Sequence, residues 1–391
     1  MKLNNILITG VAGINNISIN FNPQMNIICG PNGIGKTTIL ESIGHLFFRG
    51  PNRVLKRSAN SSYGLINGEF SINNSREKIE IKFKDFKGID SGYIENYSEL
   101  AKFIISLKIS RYFEYRELDS ISKDYFKNPE QISEEASSGV KFFNVKNWIV
   151  RRFIFSAHEN ALTPSQAQNF EIVKKCFSII NNDFSFSRID ALTNDIMINT
   201  PNGEIYFEYL SAGYKSILSI LFSVINEVEH RFDTSIVVEE FEGIILIDEL
   251  ELHLHPNWQE KIVKILIETF PKAQFFVTTH SPHIIQNALP NQIIALELRG
   301  KDVVQREIPN TEYGFQGWTI EEILTDIMGM KDTQTTLFNN KIKAFQNLIQ
   351  KEDYQEALIL YNELNILLHP HNELRELFKF QLISIKDKNN D

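Results

Sequence analysis

A glycine-rich segment near the start of the chain has the residue types of a phosphate-binding loop. Its members, in order, are Gly30, Pro31, Asn32, Gly33, Ile34, Gly35, Lys36, Thr37 and Thr38. The segment follows an apolar run and precedes a predicted helix, which is the context that such a loop requires. Glycines let successive backbone N–H groups turn toward one anion, and the dipole of the helix points at the same anion. We therefore expect Lys36 to reach the β- and γ-phosphates of ATP and the Thr37 hydroxyl to bind Mg²⁺.

Two adjacent carboxylates and a later histidine follow two further apolar runs. Gly243–Ile247 is typical of a buried parallel strand and is followed by Asp248 and Glu249. Asp248 suits the Mg²⁺ shell, and Glu249 suits a general base that polarises the attacking water. The run Gln274–Thr278 leads to His280, which can hydrogen-bond a γ-phosphate because ligands bind at the carboxyl ends of strands in such folds. The pattern predicts ATP hydrolysis by these residues together with the lysine of the loop.

A short polar segment precedes the most apolar predicted helix, Tyr214–Val228. Within it, Ser211 stands at the expected N-cap and Gly213 follows two positions later. Together they would present a hydroxyl and backbone N–H groups to an anion at a helix N-terminus. By itself, such a segment is more often only a helix cap.

The order of these motifs resembles the ABC ATPase superfamily. A P-loop is followed by a Leu-Ser-x-Gly signature, an Asp-Glu pair and a late histidine. The stretches Glu249–Pro256 and Thr278–Pro282 resemble the RecF/SMC/OLD-like branch of AAA-family defence ATPases, which includes the ATPases of OLD nucleases, the Septu system and certain retrons. These motifs cover residues 1–300, and the tail from Thr311 onward resembles Septu-type and retron-associated ATPases.

This resemblance implies a mechanism that spacing alone does not. ATP and Mg²⁺ would be bound between two head-to-tail copies, in a homodimer or a higher oligomer. Ser211 and Gly213 would contact the γ-phosphate held by the opposite subunit, and Leu252–His255 would be the D-loop equivalent. The glutamine loop of the family has no clear counterpart, because His158 and Glu159 occupy about the right region but are not glutamine.

Strands alternating with helices predict an α/β fold with an ABC-type P-loop ATPase core over residues 1–308. We expect a mostly parallel sheet, an antiparallel hairpin subdomain over Ser62–Ile72 and Lys78–Phe86, and an inserted helical lobe at about 91–188. The other predicted strands are Ile6–Ile8, Ile17–Phe21, Met25–Cys29, Ile149–Ser156, Ile189–Ile198, Glu204–Tyr209 and Gln292–Glu297. The other predicted helices of the core are Thr37 to about Phe48, Ser165–Asn181 and Asn257–Phe270, with Glu134–Gly139 a loop.

Residues 309–391 predict a different kind of structure. Three helices are expected there, at Asn339–Gln350, Tyr354–Leu368 and Asn372–Ser384. The pattern of the second helix is similar to one tetratricopeptide unit, but such repeats need about three units to bury a core. The tail is therefore interpreted as a docking or capping appendage.

Charge and composition limit the classes of partner. The net charge of −9 argues against binding nucleic acid over the whole surface. Basic residues nevertheless cluster between positions 49 and 87, which indicates either a solvated face or a surface that contacts DNA or RNA phosphates. No apolar stretch approaches the length of a membrane span, and the two cysteines define no disulfide framework, so we expect a cytoplasmic protein with no membrane contact. The basic residues are Arg49, Arg53, Lys56, Arg57, Arg76, Lys78, Lys82, Lys84 and Lys87.

Three classes of function compete. The resemblance favours the ATP-hydrolysing subunit of a prokaryotic anti-phage defence complex, a dimeric switch that controls a separate effector nuclease such as an HNH protein. A RecF/SMC-like repair ATPase that binds DNA directly is the alternative. Against a long-armed SMC protein, the insert between P-loop and signature lacks sustained heptads. A transporter motor is disfavoured because its signature and D-loop differ.

Overall fold

The computed structural model describes residues 1–48, 55–73, 75–83, 98–109, 117–140, 144–232, 234–309 and 311–386. The chain forms two compact units, Met1–Gly329 and Met330–Asp391. The boundary lies at Gly329 rather than at residue 308, because Phe315, Ile323 and Ile327 are fully buried in the core of the first unit. No helix within the described ranges is long and apolar enough to cross a bilayer.

Thirteen strands are described, all in the first unit. They are β1 (Lys2–Val11), β2 (Ile14–Asn20), β3 (Met25–Cys29), β4 (Gly64–Ile72), β5 (Ser75–Phe83), β6 (Ile104–Leu107), β7 (Ser185–Ile189), β8 (Ile196–Thr200), β9 (Gly203–Tyr206), β10 (Ile244–Ile247), β11 (Gln274–Thr278), β12 (Ile293–Arg299) and β13 (Asp302–Gln305).

Twelve α-helices are described, nine of them in the first unit. They are α1 (Lys36–His45), α2 (Pro129–Ser138), α3 (Val145–Ser156), α4 (Pro164–Ile180), α5 (Ala212–Arg231), α6 (Pro256–Gln259), α7 (Ile262–Thr269), α8 (Pro282–Gln286), α9 (Ile320–Glu322), α10 (Thr336–Gln350), α11 (Tyr354–Leu367) and α12 (Leu374–Lys386). Shorter 3₁₀ turns cover Ser98–Phe103, Phe207–Tyr209, Val238–Glu240 and Pro290–Gln292, and a π turn covers Ile323–Ile327.

The strands form three sheets, and the central one is mostly parallel. Its order is β13-β12-β3-β11-β10-β6, and only β13 runs antiparallel to its neighbour. The second sheet, β2-β1-β4-β5, is antiparallel and contains the predicted hairpin. The third, β7-β8-β9, is also antiparallel. The α/β class and the ABC-type arrangement predicted from the sequence are therefore confirmed.

Two predictions between residues 91 and 188 were wrong. The run Ile149–Ser156 is not a strand but the second part of α3, whose first turn is capped by Asn144. Trp148, Ile149 and Arg152 are buried at the spacing of one helical face. The run Ile149–Ser156 is too short by itself to show this helical period. Glu134–Gly139 is not a loop, since α2 extends to Ser138.

Three further elements differ from the prediction in their limits. Ile189–Ile198 is not one strand, because β7 ends at Ile189 and β8 begins at Ile196. The strand expected over Glu204–Tyr209 ends at Tyr206 and continues as a 3₁₀ turn. Asn257–Phe270 is divided into α6 and α7.

A buried ion-pair network fastens the inserted helices to α5. Arg152 donates to the Glu229 carboxylate at 2.7 Å, and Lys127 lies 2.6 Å from both Glu227 and Glu135. These side chains are at most 5% exposed, so removing one partner would leave a buried charge uncompensated. The network holds the carboxyl end of α5, while the amino end of the same helix carries the signature.

The three tail helices pack on one another around a small apolar core. Phe345 of α10, Leu364 of α11 and Phe378 of α12 belong to this core. Helix α10 begins three residues before the predicted start because the Thr335 side chain accepts from the backbone N–H of Phe338.

Candidate nucleotide-binding site

The predicted site residues converge on one edge of the central sheet. Ile27, Val277, Ile247 and Leu107 are successive partners across β3, β11, β10 and β6. Since these strands are parallel and in register, the segments that follow them lie along the same edge. Ligands in open α/β sheets bind at this edge.

The phosphate loop connects β3 to α1. Gly30 has φ 139°, and a Cβ there would lie 2.6 Å from the carbonyl oxygen of Leu296 on β12, so only glycine fits. Gly35 has φ 106° and immediately precedes α1. Pro31, Asn32, Gly33 and Ile34 form the turn between them, and Thr38 lies in the first turn of α1.

Lys36 is folded back over the loop. Its Nζ donates to the carbonyl oxygens of Gly30 and Pro31 at 2.9 and 3.0 Å. Burial lowers the pKa of this lysine, and the nearby groups Cys29, Glu251, Asp248 and Glu249 partly oppose the change. The ammonium group is thus placed at the mouth of the loop, where a phosphate oxygen can replace the two carbonyls.

The two expected Mg²⁺ ligands are brought together. The Thr37 hydroxyl lies 3.2 and 3.3 Å from the two carboxylate oxygens of Asp248. Two adjacent ligands of an octahedral Mg²⁺ with bonds of 2.0–2.1 Å are about 2.9 Å apart, so this donor pair fits one ion. The Thr278 hydroxyl donates to Asp248 at 2.6 Å and fixes the carboxylate.

Glu249 follows directly and is half-buried. Its φ of 50° is uncommon for a residue other than glycine and turns the chain sharply after β10. The turn is held by two bonds to β11, from the Glu249 N–H to the Thr278 hydroxyl at 2.8 Å and from the Leu250 N–H to the Thr278 carbonyl at 2.9 Å. Thr278 therefore fixes the carboxylate of Asp248 and the backbone of Glu249, a role that could not be assigned from the sequence.

His280 lies just beyond the end of β11 on the exposed side of the site. Its backbone N–H donates to the Glu251 carboxylate at 2.6 Å, and the Thr279 hydroxyl donates to the same carboxylate at 2.7 Å. Burial and the neighbouring Lys36 lower the pKa of His280, which favours the neutral imidazole. Glu251 was not recognised from the sequence, although it stands two residues after Glu249.

The signature lies at the amino end of α5. Ser211 is exposed and accepts from the N–H of Tyr214 at 3.3 Å, as an N-cap does. A Cβ on Gly213 would lie 3.0 Å from the carbonyl oxygen of His253, and the Ser216 hydroxyl donates to the Leu252 carbonyl at 3.0 Å. The signature thus packs against the segment that follows Asp248 and Glu249 of the same chain.

Lys108, which was not recognised from the sequence, follows the strand that neighbours β10. The neighbour of β10 is β6, and residues 149–156 belong to α3, so His158 and Glu159 follow a helix and not a strand of this sheet. Both are exposed after the end of α3. The residue that follows β6 is Lys108, whose Nζ lies 3.2 Å from the Glu41 carboxylate on α1.

Comparison with known proteins agrees with this architecture. Residues 25–286 match the family described as "AAA domain, putative AbiEii toxin, Type IV TA system". The chain is 42% identical to Septu protein PtuA of Bacillus thuringiensis over 397 aligned positions, which cover 98% of each chain. It is 25% identical to Septu protein PtuA of Bacillus mycoides (strain KBAB4), covering 85% of this chain and 45% of that one.

A more distant relative is described as the "Retron Ec83 probable ATPase" of Escherichia coli, at 28% identity over 44% of this chain and 30% of that one. The match to the B. thuringiensis protein extends through the P-loop core and the helical tail alike. With the parallel sheet, the phosphate loop and the paired carboxylates in place, this whole-length identity shows that the chain belongs to the Septu PtuA family of ABC-type ATPases.

Proposed function

We propose that this chain is the ATP-hydrolysing subunit of a prokaryotic anti-phage defence complex. The observation that carries the proposal is the convergence of Lys36, Thr37, Asp248 and Glu249 at one sheet edge, from segments more than 200 positions apart. The Septu and retron names of the relatives support the defence context.

Each residue at this edge has a separate task. Lys36 binds the β- and γ-phosphates, while Thr37 and Asp248 hold Mg²⁺. The bound ion neutralises charge on the phosphates. Glu249 orients and polarises the attacking water, since its backbone is fixed on β11 through Thr278. His280 donates a hydrogen bond to the γ-phosphate from the end of β11.

The site is completed by a second copy of the chain. Ser211 is exposed at the start of a helix of 20 residues, so its hydroxyl and the first N–H groups of α5 are accessible to a phosphate from outside. In a two-fold dimer each phosphate loop would face the signature of the partner. ATP binding would then close the dimer and hydrolysis would open it, which makes the nucleotide a switch.

We assign the nuclease to a separate subunit, such as an HNH protein. The described chain beyond β13 folds into helices, and the helical tail is a candidate docking element for that subunit. Purified chain with ATP and Mg²⁺ or Mn²⁺ should leave plasmid DNA and total RNA uncut. Cleavage that disappears with a point change in this chain would overturn the assignment.

One observation favours direct nucleic-acid contact, as a RecF/SMC-like repair ATPase would make. On β5, Ile79 and Ile81 are buried while Arg76, Lys78 and Lys82 are exposed, so the basic side chains share the outer face. Lys82 lies 2.7 Å from the exposed Glu80 carboxylate, which weakens its attraction for phosphate. Length-dependent DNA binding that is lost in Lys78→Glu would favour the repair function. Of the other basic positions, Arg49, Arg53, Lys84 and Lys87 lie outside the described residues.

The decisive experiment combines hydrolysis with phage challenge. Glu249→Gln keeps the shape of the side chain but removes the base, so ATP should still bind while turnover falls about 10²–10⁴-fold. Cells that carry the chain with its neighbouring genes should lose protection with the same change. Near-normal turnover in the variant would remove Glu249 from the role. Full protection despite lost turnover would separate hydrolysis from defence.

A further inference from the structure

The loop that follows β10 is tied to the segment that follows β11 at several points. Besides the bonds of Thr278, Gln259 bridges the two segments. Its side-chain amide donates to the Leu254 carbonyl at 2.7 Å, and its side-chain oxygen accepts from the Ser281 hydroxyl at 2.5 Å. Glu251 adds a further connection, since its two carboxylate oxygens accept from the Thr279 hydroxyl and the His280 N–H.

Both oxygens of the Glu251 carboxylate accept a hydrogen bond from the segment that follows β11. Oxygen Oε2 accepts from Thr279 at 2.7 Å, and Oε1 accepts from His280 at 2.6 Å. A glutamine in this position would carry no charge and offer one oxygen, so it could accept from only one of the two donors, and the Thr279 hydroxyl would have to turn and accept from the NH₂ group. Charge-assisted bonds of this length are about twice as strong as neutral ones, which favours a single position for the end of β11.

We propose that Glu251 is a positioning residue for ATP hydrolysis, which sets the His280 imidazole relative to Glu249 by accepting from both donors at the end of β11. This inference rests on the proposed function. Glu251 is three residues from Asp248 and two from Glu249. Its two hydrogen bonds therefore connect the loop that bears Glu249, the proposed general base, directly to His280, which is expected to contact the γ-phosphate.

The same geometry separates Glu251 from the role of the base. Both of its oxygens are occupied by donors of its own chain, whereas the two bonds that hold Glu249 involve its own N–H and the next N–H and leave its carboxylate available for water. The ammonium group of Lys36 is also close enough for the Glu251 charge to raise its pKa against the effect of burial. The charge of Glu251 thus acts on the site without contact with the nucleotide.

The test is a double-mutant cycle on steady-state ATP hydrolysis by the full chain. Glu251→Gln should lower kcat about 10- to 100-fold, the scale of a small misplacement, while KM for ATP changes less than about twofold. In a His280→Ala background, the same change should lower kcat by less than about twofold, because Glu251 acts through His280. Glu260→Gln, an exposed neighbour on the same segment, should leave kcat unchanged.

Gln259→Ala is the matched control for loop stability, since Gln259 joins the same two segments without bonding to His280. Its effect on kcat should be small and should persist in the His280→Ala background. The proposal is overturned by unchanged kcat in Glu251→Gln, by losses that multiply in the double variant, or by an equal loss in Gln259→Ala. Absence of hydrolysis in the wild-type chain would instead refute the proposed function.

Discussion

The Thr37 hydroxyl lies 3.2 Å from a carboxylate oxygen of Asp248, although 211 positions separate the two residues in the sequence. In the central sheet β11 stands between β3 and β10, and its Thr278 hydroxyl donates to the same Asp248 carboxylate. The proposed cation site is therefore assembled from the segments that follow β3 and β10, with Thr278 of β11 holding the Asp248 carboxylate.

The first prediction concerns Mg²⁺. Asp248→Asn removes a charged ligand while keeping the bond from Thr278, so the Mg²⁺ concentration for half-maximal hydrolysis should rise at least about tenfold. Titrating Mg²⁺ at saturating ATP measures this shift. Asp302→Asn, at an exposed position on β13, is the control and should behave as the wild type. An unchanged Mg²⁺ requirement in Asp248→Asn would exclude the carboxylate from the cation site.

A second prediction concerns the dimer. Lys36→Ala inactivates the phosphate loop, and Ser211→Arg obstructs the signature, so each variant alone should be inactive. In a mixed dimer one site combines the intact halves, and activity should return to about half of the wild-type value per mixed dimer. The measurement is hydrolysis after mixing the purified variants, with dimer formation verified independently. Mixed dimers that remain inactive would contradict completion of the site by a second copy.

A third prediction concerns the fit of the phosphate loop. In Gly30→Ala the new Cβ would meet the Leu296 carbonyl, and φ 139° is unfavourable for any residue with a side chain. The free energy of unfolding should fall by about 1–3 kcal/mol, and ATP binding should weaken. Gly13→Ala is the control, since no atom lies within 4 Å of its Cβ and its stability should change by less than about 0.5 kcal/mol. Denaturant unfolding of both variants decides the matter.

A fourth prediction concerns pH and the carboxyl end of α1. Burial lowers the pKa of His45 to about 4, whereas in the unfolded chain it is about 6.5. The unfolded state therefore binds a proton that the folded state does not, and stability decreases as the pH falls through this range. Between pH 6.5 and 4 the free energy of unfolding falls by at most about 3 kcal/mol through this group.

Chemical denaturation at several pH values measures this dependence. In His45→Gln the free energy of unfolding should decrease less below pH 6.5, because the part contributed by His45 is absent. This holds whatever the substitution does to stability at pH 7. His158→Gln, at an exposed position, should leave the pH dependence unchanged. Parallel curves for His45→Gln and the wild type would show that His45 does not titrate between the two states.

The phosphate loop and the Asp-Glu pair could be predicted from the sequence because each is contiguous. Nine successive residues supply the loop, and a buried strand that ends at Ile247 presents the next two side chains at its carboxyl end. The signature was also local, since Ser211 caps the helix that follows it. In each case the chemistry and the element that presents it lie within a few positions of one another.

Other features depended on contacts between distant segments. The four residues of β6 had no local pattern that distinguished them, and only pairing with β10 makes them a strand. Glu251 acquires its role from donors 28 and 29 positions later, and Gly213 is limited by a carbonyl at position 253. Local propensity and periodicity are properties of one segment, whereas a carboxylate meets its donors only after two strands have paired. For that reason the sequence determined which groups could bind ATP, and the tertiary structure decided which side chains hold them in place.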